Sequence, residues 1–264
     1  MLTLAVHGIG LLAPGLPGWR DSLPILQGTS AYTFQELPAG RCTLLPANER
    51  RRTTRVIDLA LRVGQEAITQ VGIDPKEISA VFASSEGDGE IIDKLCTALA
   101  LPQRPVSPTL FHNSVHNAPA GYWSIAIAGR LPSVSLSAYD DTFGAALLTA
   151  ATLVLAERAT VLLVAYDVPL PFPLSEKRRL TEPFATALLL SPHPIAPLWG
   201  RLQLRLAATT GEEDRLDRVE LERLRLGNPA ARSLPLLRAL ALGVATTMIL
   251  PYSVNHQLTI DLAP

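Results

Sequence analysis

The alternation of hydrophobic and polar residues in the middle of the chain predicts a strand, a helix and a second strand. Residues 133–138 are a short β-branched and apolar run, which is typical of a strand. Apolar residues then recur at helical spacing through residues 142–157, and Asp141 or Thr142 can cap this helix. Residues 161–165 form a second apolar run. The pattern therefore predicts a β-α-β unit, from which buried parallel sheets are built.

The remaining strands and helices alternate along the rest of the chain. Strands are predicted at residues 2–15, 78–83, 182–191, 202–206 and 257–262, and helices at residues 19–26, 56–71, 91–99 and 234–242. Residues 192–197 contain three prolines and mark a candidate boundary. We therefore predict an α/β fold made of residues 1–191, with residues 192–264 as a short C-terminal extension packed on the same domain.

The predicted turn between the strand at 133–138 and the following helix has the shape of an active site. Many α/β enzymes present a nucleophile at such a sharp turn, because the helix N-terminus stabilises developing negative charge. This turn carries Tyr139, Asp140 and Asp141, with neither Ser nor Cys among them. The sequence therefore predicts an active-site geometry without its nucleophile.

Composition narrows the class of protein. The 264 residues suffice to bury a full core, and 48% are hydrophobic. Only 18% are charged and the formal net charge is −1, which gives no sign of nucleic acid or of an acidic membrane as partner. The two cysteines, Cys42 and Cys96, fit a reducing compartment. With no signal-peptide pattern and no apolar run of about 18 residues, we expect a cytoplasmic protein without a membrane span.

Two histidines raise the question of a metal site. If residues 112–116 are helical, His112 and His116 share one face, as zinc ligands can. Position 113 is Asn, however, where a metalloprotease needs Glu, and Pro119 disturbs the helix just beyond. The lining of a pocket or a subunit contact fits the two histidines better, so we expect no metal.

Gly8 and Gly10 interrupt the first predicted strand, as glycines do in dinucleotide-binding loops. The third glycine and the acidic ribose ligand of that motif are not at the required positions. We therefore expect no dinucleotide and no other cofactor.

A basic cluster precedes the helix predicted at residues 56–71. It contains Arg50, Arg51, Arg52 and Arg55. Such a cluster is usually the solvated start of a helix, and the alternative is a surface for an anionic carrier or partner protein.

Several of these stretches, in this order, resemble the β-ketoacyl synthases, the condensing enzymes of fatty-acid and polyketide synthesis. The similar stretches are the opening strand (6–15), the basic helix entry (51–60), the helix pair before the catalytic strand (111–133), the catalytic strand (133–140) and the strand closing the first half (183–190). The catalytic strand of the family ends in a nucleophilic cysteine. Asp140 falls on that position here, or Tyr139 or Asp141 if the register shifts by one.

The resemblance covers residues 1–191 and stops there. The second half of the family should supply two catalytic histidines from glycine-rich loops. His193 instead lies between prolines, and His256 follows Asn255 without glycines. The resemblance thus implies a thiolase-like fold reduced to roughly its N-terminal half, with a layered α/β/α sheet and neither nucleophile nor decarboxylating histidines.

Ketosynthase-like proteins without the cysteine serve as chain length factors, which pair with an active ketosynthase and bound its product tunnel. Residues 112–123 resemble the short form associated with aryl polyene synthesis in Gram-negative bacteria. The resemblance therefore implies a non-catalytic subunit whose partners are a full-length ketosynthase and an acyl carrier protein. It implies tunnel or interface positions at Phe111, His112, His116, Trp123, Ser135, Ser137, Tyr139 and Asp140, and carrier-binding positions at Arg50, Arg51, Arg52 and Arg55.

Two other functions stay open at this point. One is a small hydrolase or acyltransferase that uses His112, His116 and Asp140, and the other is a module that binds acyl carrier protein without a ketosynthase. A partner subunit is favoured because half of a two-half fold leaves buried-type surface exposed. In addition, a carboxylate at the turn is a poor substitute for the thiolate that condensation needs.

Overall fold

The computed structural model describes residues 1–209 and 212–264, so two residues of the predicted C-terminal extension lie outside the described part. The strands are β1 (Leu2–Leu12), β2 (Ser79–Ala83), β3 (Ser133–Leu136), β4 (Val161–Asp167), β5 (Phe184–Ser191), β6 (Gly200–Ala208), β7 (Thr246–Ser253) and β8 (His256–Ala263). The helices are α1 (Trp19–Leu26), α2 (Ala47–Arg50), α3 (Arg55–Ile68), α4 (Gly89–Ala100), α5 (Pro108–Asn113), α6 (Ala118–Ile127), α7 (Thr142–Glu157), α8 (Leu174–Lys177), α9 (Val219–Gly227) and α10 (Leu234–Leu242).

These strands form one mixed sheet in the order β3-β2-β4-β5-β1-β6-β8-β7. The strands β3 and β4 both run parallel to β2, which lies between them. The predicted β-α-β unit is therefore confirmed, with one strand inserted between its two halves. From β5 onward the neighbouring strands pair antiparallel.

Helices cover both faces of the sheet, as the predicted α/β/α layering requires. On β4, Val161, Leu163 and Ala165 belong to the core that contains α7 and α10. The alternate residues Leu162, Val164 and Tyr166 belong to the core that contains α3 and α6. Because β4 is buried on both sides, its sequence is a continuous apolar run instead of an alternating one.

Gly8 and Gly10 allow α3 to pack directly against the backbone of β1. A Cβ built at Gly8 would lie 2.0 Å from the carbonyl oxygen of Ala67, and one at Gly10 would lie 2.0 Å from that of Val63. No side chain fits at either position. The glycines that resemble a dinucleotide motif therefore serve helix-to-strand packing.

The helical geometry that a metal site at His112 and His116 would require is not present. The helix α5 ends at Asn113, and α6 begins at Ala118. Pro119 lies in the first turn of α6, where a missing N–H breaks no helical hydrogen bond. Pro119 therefore starts a helix instead of disturbing one, and His112 and His116 do not share a helix face.

Beyond β5 the chain continues the same sheet, with β6 paired to β1. The strand β7 was not predicted, because Pro251 interrupts its apolar pattern. It forms the edge of the sheet opposite β3, and proline is tolerated in edge strands. The division at residue 191 stays a prediction. In the two described ranges, no helix combines the length and the apolar character needed to cross a membrane.

Candidate functional site

Three loops meet at the carboxyl ends of the parallel strands β2, β3 and β4. They comprise residues 84–88 after β2, residues 137–141 after β3 and residues 168–183 after β4. The carboxyl ends of parallel strands are where α/β proteins place ligands and reacting groups. The turn without a nucleophile is the loop after β3. Together with Thr142 it forms the segment that we call the elbow (residues 137–142).

The elbow is a tight, strained turn. Tyr139 has φ +55°, which is unfavourable for an aromatic residue and is usually maintained only at a functional site. The hydroxyl of Thr142 donates to the Tyr139 carbonyl oxygen (2.7 Å) and accepts from the Ala138 N–H (3.0 Å). Asp141 precedes α7 but its side chain makes no capping hydrogen bond. Thr142, and not Asp141, therefore fixes the turn.

Arg178, which the sequence analysis did not single out, joins all three loops. Its Nε donates to Glu86 Oε1 (2.7 Å), and its Nη2 donates to Asp140 Oδ1 (2.7 Å) and Ser85 Oγ (3.2 Å). Its Cζ lies 3.7 Å from the centre of the Tyr139 ring, a cation–π contact. The Arg178 side chain is only 16% exposed. The guanidinium therefore lies over one face of the Tyr139 ring, and Tyr139 remains 60% exposed.

The charge on Arg178 is stabilised by its partners. Burial disfavours the cation, but the hydrogen bonds to Asp140 and Glu86 outweigh it and raise the pKa of Arg178. The Asp140 side chain is 48% exposed, so its ion pair is partly screened by solvent and contributes little to stability. The arrangement holds Asp140 as an ion-pair partner and not as a free carboxylate.

Asp167 holds the loop after β2 in place from below. It is fully buried, and its Oδ1 accepts from Ser84 Oγ (2.7 Å), the Ser85 N–H (2.9 Å) and the Glu86 N–H (3.3 Å). Burial raises the pKa of Asp167 to about 7, although these three hydrogen bonds oppose the shift. Asp167 thereby fixes the residues that hold Arg178.

A cavity of about 230 Å³ lies on the other side of the elbow, against the β7–β8 hairpin. Its lining includes Asp140, Asp141, Glu213, Arg232 and His256. Burial, and secondarily Asp140, raises the pKa of Asp141. Neither cysteine of the chain lines the cavity.

His256 therefore comes close to the elbow, although the sequence analysis gave it no role for lack of flanking glycines. Its Nδ1 lies 3.4 Å from Ser253 Oγ, and no hydrogen bond joins it to a carboxylate of the described residues. His193 is exposed in the connection between β5 and β6. The cavity thus holds carboxylates, one imidazole and the Ser253 hydroxyl, and in the described residues no carboxylate orients the imidazole as a catalytic triad would require.

The histidines of the α5–α6 region are held by other contacts. A ring nitrogen of His116 donates to the Ser84 carbonyl oxygen (2.9 Å), and His112 packs edge-on against Tyr122 with 6.3 Å between ring centres. Among the described residues, no hydrogen bond links either histidine to Asp140, and no group of His, Cys, Asp or Glu could hold a metal ion. The geometry therefore does not assemble the hydrolase triad considered from the sequence.

Phe111 and Trp123, expected together at a tunnel or interface, lie in opposite environments. Phe111 is 67% exposed. Trp123 is 2% exposed and packs in the core against Gly64 and Phe82. The expectation for Trp123 is therefore wrong: it is a core residue.

The strand β3 is an edge of the sheet, paired only with β2. Ser135 is half-buried on this strand, and Ser137 just after it donates to the Ser85 carbonyl oxygen (3.0 Å). Large apolar side chains are exposed on α5, on the connection between α5 and α6, on α6 and on the turn before β3, namely Phe111, Val115, Ile125 and Leu131. An unpaired edge with exposed apolar neighbours is a surface that proteins normally cover.

The arginine cluster lies next to α5. The side-chain amide of Asn113 donates to the Arg52 carbonyl oxygen (2.8 Å). Arg52 pairs with Glu49 (3.3 Å), and Arg50 donates to the Leu45 carbonyl oxygen (2.9 Å). Arg51 and Arg55 are exposed without ion-pair partners in the described part of the chain. The basic segment thus adjoins the exposed apolar surface.

Solved structures share this fold. A chain of the complex described as "Ketosynthase (ApeO) in Complex with its Chain Length Factor (ApeC)" from Xenorhabdus doucetiae aligns with a TM-score of 0.73 and 24% identity, covering 99% of this chain and 100% of that one. A chain of "The ishigamide ketosynthase/chain length factor" aligns with a TM-score of 0.76 and 12% identity, covering 98% and 99%. At these identities the likeness concerns the fold.

A third structure, "AntDE:AntF (apo): type II PKS acyl-carrier protein in complex with its ketosynthase bound to the hexaketide", aligns with a TM-score of 0.73, 14% identity and 99% coverage of both chains. No curated protein sequence matches the chain. The family model of the beta-ketoacyl synthase N-terminal domain matches residues 27–240, a span that runs past residue 191. Since this match includes most of the described elements, the chain belongs to the β-ketoacyl synthase family through that N-terminal domain.

Proposed function

We propose that this chain is a chain length factor, a subunit that pairs with an active ketosynthase and has no condensing activity of its own. The observation that carries the proposal is the elbow, where Tyr139 lies under Arg178 in place of a thiol. Condensation needs a nucleophile that attacks a thioester. A phenol beneath an ion-paired guanidinium supplies none.

The strained conformation favours Tyr139, and not Asp140, as the residue at the nucleophile position. A nucleophile elbow holds its residue in a strained strand-to-helix turn. Tyr139 has the positive φ in this turn, and Asp140 is the next residue along it. This choice corresponds to a shift of one residue from the register in which Asp140 replaces the cysteine.

The exposed edge supports a ketosynthase as partner. The strand β3 has no neighbour on its outer side, and apolar side chains are exposed on α5 and α6 beside it. The structures with similar folds are described as complexes of ketosynthases with chain length factors. We therefore assign the partner contact to β3, α5 and α6.

Phe111 is our leading candidate for shaping the product tunnel, with His112 and Tyr139 beside the same edge. An exposed aromatic ring on a partner-facing helix is available to fill a cavity of the other subunit.

Aryl polyenes are the product class we propose. The proposed contact for acyl carrier protein is the basic segment with Arg50, Arg51, Arg52 and Arg55.

Reconstitution with the ketosynthase tests the proposal. Condensation is measured with acyl- and malonyl-loaded carrier for the chain alone, the ketosynthase alone and the copurified pair. We expect product from the pair and none from the chain alone. Product formed by the chain alone, or a chain that remains a stable monomer and leaves the ketosynthase unaffected, would contradict the proposal.

A further inference from the structure

A separate cleft opens between residues 37–41 and the first turns of α3. Its volume is about 370 Å³, and three arginines line it: Arg41, Arg55 and Arg62. None of its lining residues belongs to the elbow or to the cavity beside His256. The cleft is therefore separate from the elbow and its cavity, and it shares Arg55 with the basic segment beside α5.

Two of these guanidinium groups are positioned by the backbone. Arg62 lies against Gly40, where an added Cβ would be 3.1 Å from Arg62 Cζ, and its Nη1 donates to the Pro38 carbonyl oxygen (3.1 Å). Arg41 Nη1 donates to the Arg50 carbonyl oxygen (3.3 Å) and to Thr53 Oγ1 (3.0 Å). A guanidinium carries five N–H donors. Both groups therefore keep donors for a ligand while the chain fixes their orientation.

The positive charge in the cleft is compensated only in part, by the Asp58 carboxylate, whose charge Arg62 and Arg41 stabilise. In the described ranges, no carboxylate lies within salt-bridge distance of Arg41, Arg55 or Arg62. The one carboxylate in the lining, Asp58, is buried and accepts from the Cys42 N–H (3.0 Å). Three arginines against one acid leave a net positive cleft on a chain whose total charge is −1.

We propose that this cleft binds the phosphate group of a phosphate-bearing ligand. Planar guanidinium groups pair with phosphate oxygens in a bidentate manner, which makes arginine the preferred residue at such sites. The phosphate has two possible sources, a free small molecule or the phosphorylated prosthetic group of a carrier protein. The second source rests on the function proposed above, whereas the binding site itself does not.

Calorimetric titration of the full chain with pyrophosphate tests the site. We expect saturable binding that weakens at higher salt and that R41Q/R62Q weakens about tenfold or more. R201Q is the matched control, because Arg201 is an exposed arginine on β6 without an ion pair, and it should bind like wild type. R55Q gives a second reading with little risk to folding, since Arg55 makes no intramolecular hydrogen bond in the described structure.

Further titrations separate the two sources. Titration with coenzyme A tests binding of a free ligand. Titration with carrier protein, with and without its phosphorylated prosthetic group, tests binding of a tethered one. A difference in affinity between the two carrier forms that R41Q/R62Q abolishes supports the tethered source. No saturable binding of pyrophosphate, or equal binding by wild type and R41Q/R62Q, would overturn the site. Failure to pair with a ketosynthase would sink the proposed function without affecting these titrations.

Discussion

The guanidinium of Arg178 lies 3.7 Å above the centre of the Tyr139 ring and donates to Asp140, the next residue of the elbow, at the same time. One cation therefore holds the ring and the acid of the same strained turn. The guanidinium occupies one face of the Tyr139 ring, which is otherwise exposed. The absence of Ser and Cys from residues 139–141 and the contact with Arg178 are two separate features of this turn.

A thiol at position 139 should be more reactive when the Arg178 guanidinium is present. In a Cys96→Ser background, which removes the exposed native thiol, Tyr139→Cys should react with iodoacetamide several-fold faster near neutral pH than Tyr139→Cys combined with Arg178→Ala. The reason is that a nearby cation lowers the pKa of a thiol. Equal rates would show that Arg178 does not act on position 139. Condensation should remain absent in both variants.

Asp140→Ala should leave chemistry intact in the assembled pair. Its ion pair with Arg178 is half exposed, so the unfolding free energy should fall by about 1 kcal/mol or less. Turnover is measured on the reconstituted complex, with Asp140→Asn as the conservative control. A loss of about a thousandfold, equal to roughly 4 kcal/mol of barrier, with the complex still assembled, would make the carboxylate catalytic.

Phe111→Ala should lengthen the products of the reconstituted pair at little cost in stability. The side chain is 67% exposed in the isolated chain, so its removal should change the unfolding free energy by about 0.5 kcal/mol or less. Phe34→Ala is the matched control, since Phe34 is an exposed phenylalanine outside α5. Product distributions that are identical for all three proteins, with the pair intact, would leave the chain without a tunnel role at Phe111.

Trp123→Ala should have the opposite profile. The ring fills the core beside Gly64 and Phe82, so its removal should cost about 3–5 kcal/mol of unfolding free energy. Denaturant unfolding of the isolated chain measures this cost. A change below about 1 kcal/mol would contradict the core assignment. Any altered product length in this variant would then follow from loss of structure.

Asp167 should make stability fall as the pH rises from about 4 to about 7. Its pKa is raised from 3.8 to about 7, so in this window the folded chain keeps a proton that the unfolded chain has lost. Asp167→Asn keeps one acceptor oxygen and removes this titration. The stability of the variant relative to wild type should therefore increase with pH across the window.

Denaturant unfolding at several pH values measures that relative stability. Glu36→Gln is the control, because Glu36 is an exposed carboxylate in the loop between α1 and α2, and its curve should run parallel to that of wild type. A parallel curve for Asp167→Asn as well would mean that Asp167 does not bind a proton on folding in this range.

Periodicity alone recovered the elements whose burial is regular. The strands β4 and β5 follow from continuous apolar runs, because each is buried along its whole length. The helix α7 follows from helical spacing, because one face of it is buried. The strand β7 was not predicted, because it lies at an edge of the sheet and contains Pro251. The end of α5 at Asn113 could not be predicted from His112 and His116, because the spacing of two histidines does not determine where a helix ends.

The elbow was found from its sequence, but its chemistry was not. Tyr139, Asp140 and Asp141 are contiguous, so a local pattern reveals them. Arg178 contacts the elbow from the loop after β4, and Asp167 holds the loop after β2 that binds Arg178. Only the folded sheet brings these residues together. The signal that could have pointed to Asp167 is a lone acid at the end of a strand that is otherwise apolar, since a buried charge needs partners.

The backbone contact between α3 and β1 has a mechanical consequence for the arginines at the start of α3. With the carbonyl oxygens of Val63 and Ala67 directly over Gly10 and Gly8, the helix cannot slide or roll without a collision. Arg55 and Arg62 therefore lie on a helix whose position relative to the sheet is fixed by backbone packing. In the proposed assembly, a carrier that docks on these arginines meets a surface whose orientation to the sheet is set by the packing of α3 on β1.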